Sequence, residues 1–134
     1  MSALGAYLRA ACGQPWRAGV YDCCTLPGDW ALSWGRGDPM AEWRGQYQSD
    51  AQAVRLIHEA GGLLELWRRG LSAIGITTVG DPNPGDVGIV PALIETGQLD
   101  HVGAIWTGER WAMRAPSGIF FAPNTPVCVW GPRG

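Results

Sequence analysis

The sequence predicts an α+β domain in which N-terminal helices pack on a C-terminal antiparallel sheet. Three observations support this. The 134 residues suit a single domain, taken here as residues 1–134. Apolar residues recur with a helical period before Gly75. After Gly75, short apolar runs alternate with Gly, Pro or Asn, as in strands joined by turns. Helices first and strands second favour the segregated α+β class.

The first two helices are indicated by capping and by apolar spacing. Residues 2–12 form a short helix with Ser2 as a possible N-cap. The loop "GQPWRAGVYD" follows, and a second helix is expected from about residue 23 to residue 34. Its apolar stripe recurs every four residues, at Leu26, Trp30 and Trp34.

The third helix has the clearest pattern in the chain, "SDAQAVRLIHEAGG". Ser49 or Asp50 caps it, and Gly61 or Gly62 ends it. Its expected inner face consists of Ala53, Leu56, Ile57 and Ala60. A short further helix is expected near residues 63–71.

The second half of the chain predicts five short strands. The turn "NPGD" leads into the first, and Asp86 in this turn is interpreted as turn-stabilising rather than catalytic. His101 is expected to begin the second strand. The five runs are "VGIV", "HVGAIW", "RWAMRAP", "GIFFAP" and "VCVW".

Composition limits the classes of partner. Apolar residues make up 46% and charged residues 16% of the chain, and the net charge is −2, which argues against an electrostatic nucleic-acid binder. The N-terminus lacks a basic segment followed by a long apolar run, so we expect cytoplasmic synthesis without a signal peptide. No apolar run approaches the roughly 18 residues of a membrane span.

The four cysteines, Cys12, Cys23, Cys24 and Cys128, do not suggest a disulfide framework. Adjacent Cys23 and Cys24 would pair with each other only under strain, and a cytoplasm is reducing. No C-x-x-C spacing occurs and the two histidines are far apart, which argues against zinc. We therefore expect no metal and no cofactor.

A cysteine at the start of a helix suggests nucleophilic chemistry. Cys23 would lie near the positive end of the helix dipole, which favours the thiolate form. A histidine could then carry the proton. His58 is interpreted as an ordinary helix residue, whereas His101 could point into a cleft between sheet and helices. Spacing alone favours the other interpretation, a buried thiol pair with an unrelated strand histidine.

The order of motifs resembles the NlpC-type cell-wall cysteine peptidases, a papain-like branch. That family has a "GxPYxxGG" loop, "DCSG" opening a helix, "PGD" before the first strand, "HVGIYLG", and a last polar residue in a pattern like "xIHAxxxG". Here the chain reads "GQPWRAGVYDCCTL", "NPGDVGIV", "HVGAIWTG" and "WAMRAPSGIFF" in the same order. A longer pattern, "YDCC…DWALSWGRGDP…YQSDAQAVRLIHEAGG", also resembles small proteins encoded among phage and prophage tail genes.

The resemblance assigns roles by position. Cys23 becomes the nucleophile and His101 the general base and later the acid. Cys24 falls at the family's serine and should face the packed side of the helix. Trp16, at the family's tyrosine, would supply an aromatic wall and an N–H donor near the oxyanion. Asp22 would tether the loop or cap the helix.

The third position departs from the family pattern. The residue that orients the imidazole is usually His, Asn or Gln, and Arg114 stands at or near that place. Arginine has no acceptor for an imidazole N–H. A backbone carbonyl could orient His101, another side chain could substitute (Ser117, Gln98 or Asn124), or the site could be weakened.

The resemblance implies a thiol hydrolase that cleaves an amide bond in peptidoglycan stem peptides and is carried in a phage or phage-like particle tail. The alternative is a catalytically weakened structural component of a tail tip or baseplate, whose partners are other tail proteins. A cytoplasmic thiol-dependent amidase or acyltransferase on the same fold is a third possibility.

Overall fold

Four helices precede five antiparallel strands in the computed structural model, which describes residues 2–93 and 97–134. The helices are α1 (Ala3–Cys12), α2 (Thr25–Leu32), α3 (Asp50–Glu59) and α4 (Leu63–Ala73). The strands are β1 (Val87–Leu93), β2 (Leu99–Trp106), β3 (Trp111–Ala115), β4 (Gly118–Ala122) and β5 (Cys128–Trp130). The predicted α+β class, with its helices N-terminal, is therefore confirmed.

The strands form one sheet in the order β4-β3-β2-β1-β5, and each neighbouring pair is antiparallel. The longest pairing joins β1 to β2, from Val87 opposite Ile105 to Leu93 opposite Leu99. His101 is thus the third residue of β2, whereas the sequence placed it first. The strand begins earlier because Leu99 and Asp100 also find partners on β1.

The helices bury one face of the sheet. Their apolar stripes pack on Val87, Ile89 and Ile105, which alternate along β1 and β2 and are at most 1% exposed. The predicted apolar stripe of α2 belongs to this core between helices and sheet, because Leu26 is buried in it and Trp30 and Trp34 pack against it. A second apolar cluster covers the opposite face and includes Val90, Ala92, Ala104, Trp111, Met113 and Val129.

Local capping explains where α1 and α3 begin. The hydroxyl of Ser2 accepts the N–H of Gly5 at 3.0 Å, and the hydroxyl of Ser49 accepts the N–H of Gln52 at 3.1 Å. Each bond satisfies a donor that a helix N-terminus leaves free. The predicted cap at Ser2 is confirmed, and of the two candidates for α3, Ser49 is the cap while Asp50 is the first helical residue.

Helix α2 is shorter than the spacing predicted, since it begins at Thr25 instead of about Cys23 and ends at Leu32 instead of Trp34. Ser33 donates its hydroxyl to the carbonyl oxygen of Trp30 at 2.6 Å, which takes an acceptor from the last turn. Gly35 follows with a φ of 72°, a left-handed conformation that stops the helix.

Candidate functional site

Cys23 lies just before α2, in the turn that Asp22 organises. The Asp22 carboxylate accepts the backbone N–H groups of Cys24 at 2.9 Å and Thr25 at 2.8 Å, and thereby caps the helix. The backbone N–H of Asp22 in turn donates to the Thr25 hydroxyl at 2.7 Å. The N–H of Cys23 has no acceptor among the described residues.

The same carboxylate holds the preceding loop. Its second oxygen accepts the N–H of Gly19 and the phenol of Tyr47, both at 2.7 Å. Burial raises the pKa of Tyr47, and the hydrogen bond to Asp22 adds to this effect. Asp22 is 4% exposed and is occupied on both oxygens, so its role here is to tether the loop and cap the helix.

The two neighbouring thiols have different surroundings. Cys23 is partly exposed, whereas Cys24 is buried in the main core beside α4. Hydrogen bonding with the Cys23 side chain raises the pKa of Cys24, and burial raises it further. Cys24 therefore faces the packed side of the helix, and Cys23 is the thiol with access to solvent.

Gly103 brings β2 against the start of α2. A Cβ at this position would lie 2.4 Å from Cζ2 of Trp67 and 3.1 Å from the carbonyl oxygen of Cys23. Only a residue without a side chain allows this approach. The backbone of Cys23 therefore sits directly over the strand that carries His101.

His101 shares a sheet face with Gly103, because residues two apart along a strand point the same way. Their Cα atoms are separated by roughly 7 Å. The His101 side chain is exposed, and its face is the one that α2 covers. Within residues 2–93 and 97–134, no hydrogen bond joins the Cys23 thiol to the His101 ring.

Trp16 lines a cavity of about 50 Å³ together with Cys23 and Cys24. Its indole N–H donates to the Asp50 carboxylate at 3.1 Å, where α3 begins. The aromatic wall expected near Cys23 is thus present, but the N–H would have to leave Asp50 before it could bind an oxyanion.

Arg114 on β3 binds backbone carbonyl oxygens at and just after the C-terminal end of α1. It is 5% exposed, donates from Nη1 to the carbonyl oxygen of Ala11 at 2.9 Å, and donates from Nη2 to the carbonyl oxygen of Gln14. Its Nε is buried without an acceptor in the described part of the chain. These contacts tie the guanidinium to the end of α1, and they offer no acceptor to His101.

The other candidates for orienting His101 lie elsewhere. Ser117 is exposed in the turn between β3 and β4, and Gln98 is exposed just before β2. Asn124 donates its amide to the carbonyl oxygen of Pro91 at 2.6 Å. That carbonyl shares the side of β1 with Ile89, whose oxygen accepts the N–H of Val127, so Asn124 lies on the side away from β2.

A family model described as a domain of unknown function (DUF6950) matches residues 1–131. The chain belongs to the DUF6950 family. Neither the curated proteins nor the solved structures contain a match.

Two residues at the site of this DUF6950 member are not predicted by the sequence. Tyr47 binds Asp22, 25 positions earlier, and Asp50 binds Trp16, 34 positions earlier. Tyr47 stands in a loop without periodicity, so no local signal marks it. The sequence marks Asp50 only as a candidate helix cap, and no sequence signal links it to Trp16, 34 positions earlier.

The buried Asp86 of the "PGD" turn has a structural place in this DUF6950 chain. Its carboxylate accepts the N–H of Asn83 and pairs with Nη1 of Arg133, each at 2.8 Å. These bonds close the turn before β1 and attach the C-terminal segment to it.

No helix within the described ranges combines the length and the apolar character needed to cross a bilayer.

Proposed function

We propose that the chain is a thiol hydrolase with a papain-like, NlpC-type arrangement that cleaves an amide bond in peptidoglycan stem peptides. The observation that supports this most directly is the packing of the Cys23 backbone on Gly103. It sets a solvent-accessible thiol at a helix start over the strand face that carries an exposed imidazole. A nucleophile and a proton carrier that can reach each other are what amide cleavage requires.

The reaction would begin with attack of the Cys23 sulfur on the amide carbonyl carbon. The free N–H of Cys23 would donate to the developing oxyanion, and His101 would accept the thiol proton and deliver it to the leaving amine. A thioester to Cys23 remains. Water activated by His101 then attacks this thioester, releases the carboxylic acid and restores the thiol.

The order of the four sequence blocks supports the peptidoglycan substrate and the papain-like fold. The likeness to proteins encoded among phage tail genes supports a particle-borne enzyme that opens the wall locally. In that setting the partners are the stem peptide and neighbouring tail-tip or baseplate proteins.

A structural component of a tail tip or baseplate is the second candidate, and two observations favour it. Arg114, at or near the position that matches the family's third catalytic residue, is engaged with α1 and has no acceptor for the His101 ring. The edge strand β4 also exposes Phe120 and Phe121, at 48% and 49%, as a docking strand would.

Digestion of purified sacculi separates the two candidates. We expect the wild type to release muropeptides, Cys23→Ser to release none, and His101→Ala to lose activity by about 10²-fold or more. Cys12→Ser is the matched control, because Cys12 is an exposed thiol on α1, and it should retain full activity. No release by the wild type, or equal release by wild type and Cys23→Ser, would contradict the hydrolase.

A further inference from the structure

Cys24 is a buried nucleophile that the proposed hydrolysis does not use. It directly follows Cys23, and both side chains line the same cavity of about 50 Å³. The cavity is walled mainly by apolar side chains from the loop before α2, the segment before α3, and helices α3 and α4: Trp16, Met40, Trp43, Tyr47, Leu56, Ile57 and Leu66. A cavity of that size can admit water and molecules of similar size.

The two remaining thiols are outside this arrangement. Cys12 is exposed on α1 and Cys128 is partly buried on β5, and neither lines the cavity. Cys23 and Cys24 are therefore the two thiols that line this cavity together, and Cys23 is the partly exposed one of the two.

We propose that Cys23 and Cys24 are a peroxide-sensitive dithiol, in which Cys23 is oxidised first and Cys24 converts it to a vicinal disulfide. The oxidation itself needs no hydrolase activity. Its consequence, a reversible block of the nucleophile, rests on the proposed function.

The chemistry balances with hydrogen peroxide as the oxidant. The Cys23 thiolate attacks one peroxide oxygen, the O–O bond breaks, and the departing hydroxide takes up a proton to become water, which leaves a sulfenic acid. The Cys24 sulfur then attacks the Cys23 sulfur, the S–O bond breaks, and the oxygen leaves as water with the Cys24 proton. Two thiols and one peroxide give one disulfide and two waters.

Because the two cysteines are adjacent in the chain, the disulfide between them would be easily reduced and would not be a permanent cross-link. Adjacent Cα atoms are about 3.8 Å apart, below the usual range of about 4.4–6.8 Å for disulfides. A strained disulfide is reduced easily, so thiol reductants should restore both cysteines. The nearby Cys24 would also intercept the sulfenic acid before it reaches the irreversible sulfinic state.

Peptide mass spectrometry tests the proposal, because tryptic cleavage after Arg17 and Arg36 yields residues 18–36 with both thiols and no other cysteine. After brief exposure of the full chain to hydrogen peroxide near pH 7.5, we expect this peptide to lose about 2 Da, and dithiothreitol to reverse the loss. A sulfinic acid on Cys23 without that loss, a disulfide to Cys12 or Cys128, or a disulfide-linked dimer would overturn the proposal.

Variants assign the roles. Cys24→Ser should lose the disulfide and accumulate sulfinic acid on Cys23, whereas Cys12→Ser should behave as the wild type. Cys24→Ala repeats the test with an apolar residue in case serine is not tolerated in the core. Protection of Cys23 that persists in both Cys24 variants would contradict the resolving role. A chain inactive on sacculi can still form the disulfide, so the two proposals fail separately.

Discussion

Asp22 joins three parts of the site through one carboxylate. It caps α2 through Cys24 and Thr25, holds the loop through Gly19, and accepts the phenol of Tyr47. All of these donors are in or next to the core, so removing the carboxylate leaves several of them unpaired. Buried unpaired polar groups cost roughly 1–3 kcal/mol each.

We therefore expect Asp22→Ala to destabilise the protein by roughly 3 kcal/mol or more. Ser49→Ala, which removes an exposed cap from α3, should cost only about 1 kcal/mol. Urea unfolding followed by circular dichroism measures both. Equal losses in the two variants would show that Asp22 acts as an ordinary cap and does not hold the loop.

The contacts of Arg114 differ from the role that its position in the sequence motif suggests. The sequence placed this residue at or near the third catalytic position, and the structure directs its guanidinium to Ala11 and Gln14, about a hundred positions earlier. A motif specifies the order of residues along the chain. The contacts of a long side chain depend on which helix the fold brings to that strand.

At the scale of elements, the contact between α2, α4 and β2 decides whether a site can exist. Gly103 permits it, since a methyl group there would overlap Trp67 and press on the carbonyl oxygen of Cys23. The sequence block "HVG" contains this glycine, but only the packing explains why a side chain is excluded.

Gly103→Ala should destabilise the protein by about 1–3 kcal/mol through overpacking and should displace the start of α2 from the sheet. Gly80→Ala is the matched control, because Gly80 has open space around its Cα and no positive φ. Its unfolding free energy should stay within about 0.5 kcal/mol of the wild type. A neutral Gly103→Ala would contradict the close approach that carries the proposed site.

Whole-molecule stability should respond to pH through the cluster around Arg44. Its guanidinium binds Asp38 and Asp29, each at 2.8 Å. The hydrogen bond from Arg44 lowers the pKa of Asp38, whereas burial outweighs Arg44 and raises the pKa of Asp29. The two carboxyl groups therefore change stability in opposite directions on acidification.

The contribution of Asp38 is present above its unfolded pKa of about 3.9 and is lost as the pH falls through its lower folded value. Asp29 contributes in the opposite sense, since its raised pKa favours the folded protonated form at low pH. We expect Asp38→Asn to flatten the loss of unfolding free energy below about pH 5, and Asp29→Asn to steepen it. Urea titrations at several pH values measure both slopes, and a steeper slope in Asp38→Asn would contradict the assignment.

The sequence by itself determined the α+β class, the helix cap at Ser2, a cap of α3 at Ser49 or Asp50, and the apolar stripe of α2. These features depend on interactions within a few residues: side-chain period, N-cap hydrogen bonds and turn residues. It also marked Cys23 and His101 as the chemically distinctive pair, because their residue types and motif neighbours can be read along the chain.

Only the tertiary structure decided how those residues are surrounded. It showed that His101 is the third residue of β2 and that Gly103 packs against Cys23. It also showed that the Trp16 indole binds Asp50 and the Tyr47 phenol binds Asp22. Arg114 binds the end of α1. Each of these contacts joins residues tens of positions apart. Their formation depends on how helices and sheet pack together, and no local pattern in the chain encodes that packing.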